Sequence, residues 1–221
     1  MADYGVLLST TSGGVWVTPE STPIALQAKK TATLQATSGF NVKISHTFPA
    51  GKPVIPFVHV TAECEITSSI SGNVITIDFL RPTANGVAEV YFFSIFPQTK
   101  PQYGLAVWDA SGVLVLTNET RTLTDVERIG TPGVESSGYN INVTRSGKWA
   151  CIPGMLGLIT GVISTGMPRP YQAIYKTIAL REGANTRIKA RPQSAPGGPI
   201  QNVMYSNMRN SIMAINVANY D

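Results

Sequence analysis

Apolar and polar residues alternate along much of this chain with a period of two. The clearest run sets Phe40, Val42, Ile44, His46 and Phe48 against Asn41, Lys43, Ser45 and Thr47, the pattern of a half-buried β-strand. Similar short runs bounded by Gly, Pro, Ser and Asn predict strands at 54–61, 64–68, 73–80 and 86–96, with a hairpin turn at 69–72. Two more hairpins are predicted. The first runs over 4–18 around Thr10-Thr11-Ser12-Gly13, the second over 103–116 around Asp109-Ala110-Ser111-Gly112, where Gly suits a positive φ. Residues 173–180 fit a helix or a strand. Short strands separated by turn signals about every ten residues predict an all-β chain of β-sandwich type.

The patterning repeats. At an offset of 99, Tyr4-Gly5-Val6-Leu7-Leu8 meets Tyr103-Gly104-Leu105-Ala106-Val107, and Val15-Trp16-Val17-Thr18 meets Leu114-Val115-Leu116-Thr117. The same offset aligns Ser38-Gly39-Phe40-Asn41-Val42-Lys43-Ile44-Ser45 with Ser137-Gly138-Tyr139-Asn140-Ile141-Asn142-Val143-Thr144. Most of these exchanges conserve size, so the expectation is two tandem duplicated β-sandwich domains, 1–97 and 98–221. The second copy is longer, with the insertion expected around 167–210. The segment 97–101, with a proline at each end, is the expected linker.

Composition narrows the class. Only 14% of the 221 residues are charged, against 43% hydrophobic, with 20 Gly and 15 Pro. Surface helices are normally rich in Lys and Glu, so this composition argues against a helical bundle. Two Cys and two His cannot supply an ordinary Cys/His zinc site or a disulfide scaffold. Cys64 and Cys151 are expected as buried apolar fillers. No basic-then-apolar leader opens the chain and no apolar run approaches the roughly 18 residues of a membrane span.

Catalytic candidates are few. His46 and His59 both fall within strand patterns, where a core imidazole bonded to backbone is the ordinary role. Glu63 and Glu65 flank Cys64 on one face and are expected to be solvated rather than a glycosidase pair. No Gly-x-Ser-x-Gly elbow or phosphate-binding loop is present. No catalytic, cofactor or metal residues are assigned.

Charge is more informative. Residues 1–98 carry five basic and six acidic side chains, whereas residues 99–221 carry twelve and seven. Arg169, Lys176, Arg181, Arg187, Lys189 and Arg191 make up much of this excess, opposed locally by Glu182 alone. They are read as a candidate protein interface matched to an acidic neighbour, in preference to a nucleic-acid surface, since no nucleic-acid motif accompanies them.

The hairpin Tyr103-Gly104-Leu105-Ala106-Val107-Trp108-Asp109-Ala110-Ser111-Gly112-Val113-Leu114-Val115-Leu116 resembles a strand-turn-strand signature of tailed-bacteriophage tail proteins, and residues 4–18 are similar. The resemblance implies a non-enzymatic virion protein of the tail tip or baseplate, or a fibre adaptor. It would be made in the bacterial cytoplasm and assembled with other virion proteins, as an oligomer, in the tail. A capsid decoration protein is one alternative. A carbohydrate-binding module contacting host-surface glycan is another, and it requires an exposed Trp108 or Trp149.

Overall fold

Each alternating segment becomes a strand because its apolar face has another layer to bury it. The computed structural model describes residues 8–9, 15–17, 22–193 and 197–221. Among them the chain is all-β, with no α-helix and a single 3₁₀ turn, Gly138–Asn140. The turn expected at 10–13 lies outside the described residues.

A short antiparallel hairpin of β1 (Leu8–Ser9) and β2 (Val15–Val17) comes first. It is followed by β3 (Ala25–Leu34), β4 (Asn41–Thr47), β5 (Val54–Val60), β6 (Glu65–Ser71), β7 (Val74–Leu80) and β8 (Gly86–Ser94). A second hairpin pairs β9 (Ala106–Trp108) with β10 (Leu114–Thr117). Then come β11 (Glu127–Ile129), β12 (Asn142–Ser146), β13 (Trp149–Cys151), β14 (Met155–Ile163) and β15 (Arg169–Glu182). The last three are β16 (Asn185–Pro192), β17 (Ile200–Asn207) and β18 (Ile212–Asn216).

Antiparallel pairing gives the orders β3–β8–β5 and β4–β7–β6 in the first half of the chain. In the second half the orders are β11–β18–β13 and β12–β16–β15. Strands β14 and β17 extend the latter as β15–β14–β17. Strand β5 is the junction. Its Val58 bridges Cys151 of β13, and its Val60 bridges Leu180 of β15 in parallel. The result is one 11-stranded sheet beside the separate three-stranded sheet β4–β7–β6. The segments 1–97 and 98–221 therefore contribute strands to the same sheet, although 97–101 between them holds no strand.

The cores follow this junction. Ile75, Ile77 and Phe79 on the inner face of β7 pack with Val58, Val60, Val90 and Phe92, and the same cluster takes Ile178 and Leu180 from β15. The opposite faces of β5 and β8 place Phe57, Tyr91 and Phe93 against Ala150, Ile215, Val217 and Tyr220. A third cluster, including Ile141, Cys151, Leu156, Ala179, Ile188 and Ile212, fills the second half. Covered on both faces, β5 has no polar phase, and its apolar run is nearly unbroken.

Residues 173–180 form strand rather than helix. Ala173, Thr177 and Ala179 are buried in one phase and Ile178 and Leu180 in the other, so the run shows no clean period of two. The hairpin turn expected at 69–72 lies slightly later, at Gly72 and Asn73, because β6 continues through Ser71 opposite Val74. Gly72 has φ of +58°, a conformation open to Gly at little cost. The longer stretch expected at 167–210 contains all of β15, β16 and β17. Among the described residues, no helix is long and apolar enough to cross a membrane.

Candidate functional site

The six basic residues singled out in the sequence do not form one free patch. Lys176 stands opposite Arg191 in the β15–β16 pair. Lys189 and Arg191 lie two residues apart on that face, and both engage Glu63 of the first half: Lys189 through a close ion pair, Arg191 Nε at 3.6 Å. Arg187 Nε donates to Asn142 Oδ1 at 2.7 Å, with Nη1 3.5 Å from Glu182. Arg181 Nε donates to the Gly183 carbonyl at 2.6 Å, on the other face of the strand pair. Arg169 is exposed at the far start of β15. Three of the six thus converge beside Glu63 and Glu65, while the others are distributed along two strands.

Where they converge, there is little room for a ligand. Burial lowers the affinity of the Lys176 ammonium for its proton, which Glu65 partly opposes. Arg191 Nη1 is buried without a hydrogen-bond partner. The adjoining cavity, about 10 Å³ and lined by Cys64, Glu65, Lys176, Arg191 and Gln193, has room for about one water. A phosphate or nucleotide does not fit it.

Glu63 and Glu65, expected to be solvated, are instead held by cations: Glu63 by Lys189 and Arg191, Glu65 by Arg81. Burial opposes ionisation of Glu63, but Lys189 and Arg191 outweigh it and hold its carboxyl below the usual range. Both cysteines are free and buried, and burial pushes each thiol up to about 12, which leaves almost no thiolate near neutrality. Among the described residues, no group of three His, Cys, Asp or Glu side chains converges on a point where a metal ion could sit.

His59 is a core imidazole, its Nδ1 2.7 Å from the Trp149 carbonyl oxygen, which requires the proton on Nδ1. His46 is half-buried, stacked on Phe92 at 4.8 Å, with Nε2 2.9 Å from Gln27 Oε1. Burial lowers the pKa of both rings. A different charged cluster was not legible in the sequence. Asp221 Oδ1 accepts from Lys29 Nζ at 2.6 Å and from the Tyr91 hydroxyl at 2.5 Å, and Lys148 Nζ lies 2.9 Å from Oδ2. Glu89 pairs with the same two lysines. Burial works against both carboxylates, but these donors hold each below its ordinary pKa. Residues 29, 89, 91, 148 and 221 share no local pattern.

These shifts have a definite sign. Below about pH 6.5 the unfolded chain takes up protons that the buried imidazoles refuse, so stability falls with acidification. Glu63, Glu89 and Asp221 contribute stability above their ordinary pKa values near 4, and it is lost as pH falls through their lower folded values. Urea midpoints measured from about pH 7.5 to about pH 3 should therefore fall in two steps. His59→Gln should shrink the upper step and leave the lower one.

The β9–β10 hairpin combines a well-bonded turn with exposed aromatic side chains. Asp109 Oδ1 accepts the backbone N–H groups of Ser111 and Val113, both at 2.9 Å, and Gly112 closes the turn at φ +78°, so this Asp-x-x-Gly run forms the turn by itself. The hairpin presents Tyr103 at 81% exposure and Trp108 at 50%, with Leu105 and Val113 also exposed. Tyr103 and Trp108 flank a shallow cleft of about 380 Å³ that Lys100 and Gln102 also line. Trp149 is half-buried and its indole N–H donates to the Ser146 carbonyl at 2.9 Å. No family model matches this chain, and no curated protein or solved structure is detectably similar to it.

Proposed function

We propose that this chain is a non-enzymatic structural component of a bacteriophage virion, at the tail tip or baseplate or as a fibre adaptor, built from two tandem copies of one β-sandwich unit. The observation that carries the reading is the repeated hairpin, the segment that resembles phage tail proteins. Leu8 pairs with Val17 and Ser9 with Val15 in β1–β2. At the offset of 99, Val107 pairs with Leu116 and Trp108 with Leu114 in β9–β10. Both register and irregularity repeat.

Duplication of the rest is supported by pairing order. The sets β3–β8–β5 and β4–β7–β6 correspond in sequence order to β11–β18–β13 and β12–β16–β15. The two-residue turns at Gly72 and Gly183 match, with φ of +58° and +61°. A cross-layer contact is retained with new chemistry, since His46 meets Gln27 in the first copy and Arg145 pairs with Glu127 in the second. Among the described residues, strands β14 and β17 have no counterpart in the first copy, and they are the addition that lengthens the second. Two related units with different surface charge let one chain hold two different neighbours in a particle.

Of the six basic residues, Arg169 is best placed to meet an acidic neighbour, because it is exposed at the start of β15, whereas Arg187 is paired with Glu182 and Lys189 and Arg191 with Glu63. The reading is tested by immunogold electron microscopy of particles that incorporate the chain. Gold at the distal tail supports it, gold over the head moves the protein to capsid decoration, and unlabelled particles with an accessible epitope overturn it. Glycan binding is the second reading, favoured by the exposed Tyr103 and Trp108, since aromatic faces stack on apolar sugar faces. Trp fluorescence that shifts with host-surface polysaccharide, and fails to shift in Trp108→Ala, would support it.

A further inference from the structure

Strand β17 is the outer edge of the 11-stranded sheet, paired on one side with β14. Among the described residues no strand pairs with its other side. Edge strands of this length are normally protected by charge, by proline or by a covering segment, because an open row of N–H and C=O groups recruits another strand. The eight residues of β17, Ile-Gln-Asn-Val-Met-Tyr-Ser-Asn, include no charge and no proline, and neither do the nine of β14 beside it. One irregularity interrupts the edge, where Asn202 adopts φ of +51° opposite the register shift between Thr160 and Val162. Beyond it, residues 204–207 pair with β14 without a further shift as far as Gly157.

This stretch is also apolar where it meets solvent. Met204 is 69% and Tyr205 60% exposed, and Val203 and Met208 are exposed as well. Side chains alternate across a strand, so Met204 projects from one face of the sheet and Val203 and Tyr205 from the other. The root of the strand is firmly placed. Asn207 Nδ2 donates to the Glu135 and Ser137 carbonyls at 2.9 and 3.0 Å. Its Oδ1 packs against Gly138 so closely that a Cβ there would collide with it. Tyr139 rests on the same corner, 6.4 Å from the Tyr205 ring.

We propose that the β17 edge pairs with β17 of a second copy of this chain, antiparallel about a two-fold axis, so that the large sheet runs through a homodimer. Charge selects this occupant. The chain carries a net charge of +4, and because β17 itself contributes no charge, two copies can meet along it without apposing like-charged strand residues. An isologous contact also makes one patch serve both sides. Pairing satisfies the open backbone groups and removes Val203, Met204 and Tyr205 of each copy from water, the apolar centre that an interface of about 800 Å² per partner requires. The inference is independent of the virion reading, which concerns where the chain is found and not how it self-associates.

The test is the solution mass of the purified full chain by light scattering after gel filtration. The expected result is twice the 23.6 kDa chain mass, with Met204→Lys returning the mass to that of one chain at an unchanged far-UV spectrum. Leu105→Lys, on the β9–β10 hairpin, should leave the dimer intact. Hydrogen exchange of the wild-type chain gives a second readout that needs no variant: amides of residues 203–207 should gain protection as protein concentration rises. A monomer at every concentration overturns the proposal, as does a dimer whose 203–207 amides exchange at a concentration-independent rate.

Discussion

Tyr220→Ala should lower the unfolding free energy by about 3–5 kcal/mol, the cost of emptying a buried aromatic site. Tyr220 is 3% exposed and stands edge-on to Phe93 with ring centres 4.9 Å apart. Its hydroxyl donates to the Thr122 carbonyl at 2.9 Å and accepts the Thr124 N–H at 3.0 Å. Its own carbonyl accepts from Arg121 Nη1 at 3.0 Å. Truncation therefore opens a cavity against Phe93 and strips two backbone groups of their partner. Tyr220→Phe keeps the ring and should cost only about 1–2 kcal/mol. Urea denaturation followed by Trp fluorescence separates the two. Equal, small losses in both variants would mean that the aromatic seat contributes little.

Ile178→Ala should cost about 2–5 kcal/mol, and it should displace the unfolding of the entire chain as one transition. Ile178 belongs to β15 in the second half, yet it is 1% exposed within the cluster built on Val58, Ile77 and Phe92 of the first. Leu180, two residues on, bridges Val60. Removing the Ile178 side chain weakens the first core from the second half's strand. Because β5 bridges both β13 and β15, neither half can lose its strands without exposing the other's core. Far-UV dichroism and Trp fluorescence should report coincident midpoints in wild type and variant, as two-state unfolding requires. Two separated transitions, of which Ile178→Ala moved only the later, would show that the halves unfold independently.

The difference between these residues and those found by pattern is physical. The alternation at Phe40–Phe48 was readable because β4 has one buried and one exposed face, and the Asp109–Gly112 turn because its hydrogen bonds span four residues. Residues 173–180 were ambiguous because β15 is buried on both faces there, which erases the period of two. Glu63 and Glu65 looked solvated because Lys189, the nearest cation to Glu63, lies 126 residues away. The Lys29, Tyr91 and Lys148 contacts to Asp221 span 192, 130 and 73 residues. Nothing local marks such partners. The open β17 edge did carry a local signal, a long uncharged run in a region otherwise rich in Arg and Lys, but only the strand order reveals that the run lies at an edge.

The sequence by itself determined the strand content, the two hairpins, the Asp109–Gly112 turn, the repeated patterning and the apolar setting of both histidines and both cysteines, since each depends on periodicity or on contacts a few residues long. Tertiary structure alone decided that β5 joins the two halves, that Glu63 and Asp221 gather cations from distant strands, and that β17 rather than β14 is left at the edge. Those outcomes depend on which strands become neighbours. Neighbour choice is a competition among many pairings of similar local quality, resolved by the burial of Phe57, Phe92, Ile178 and Tyr220 in shared cores, and no window along the chain contains both sides of such a contact.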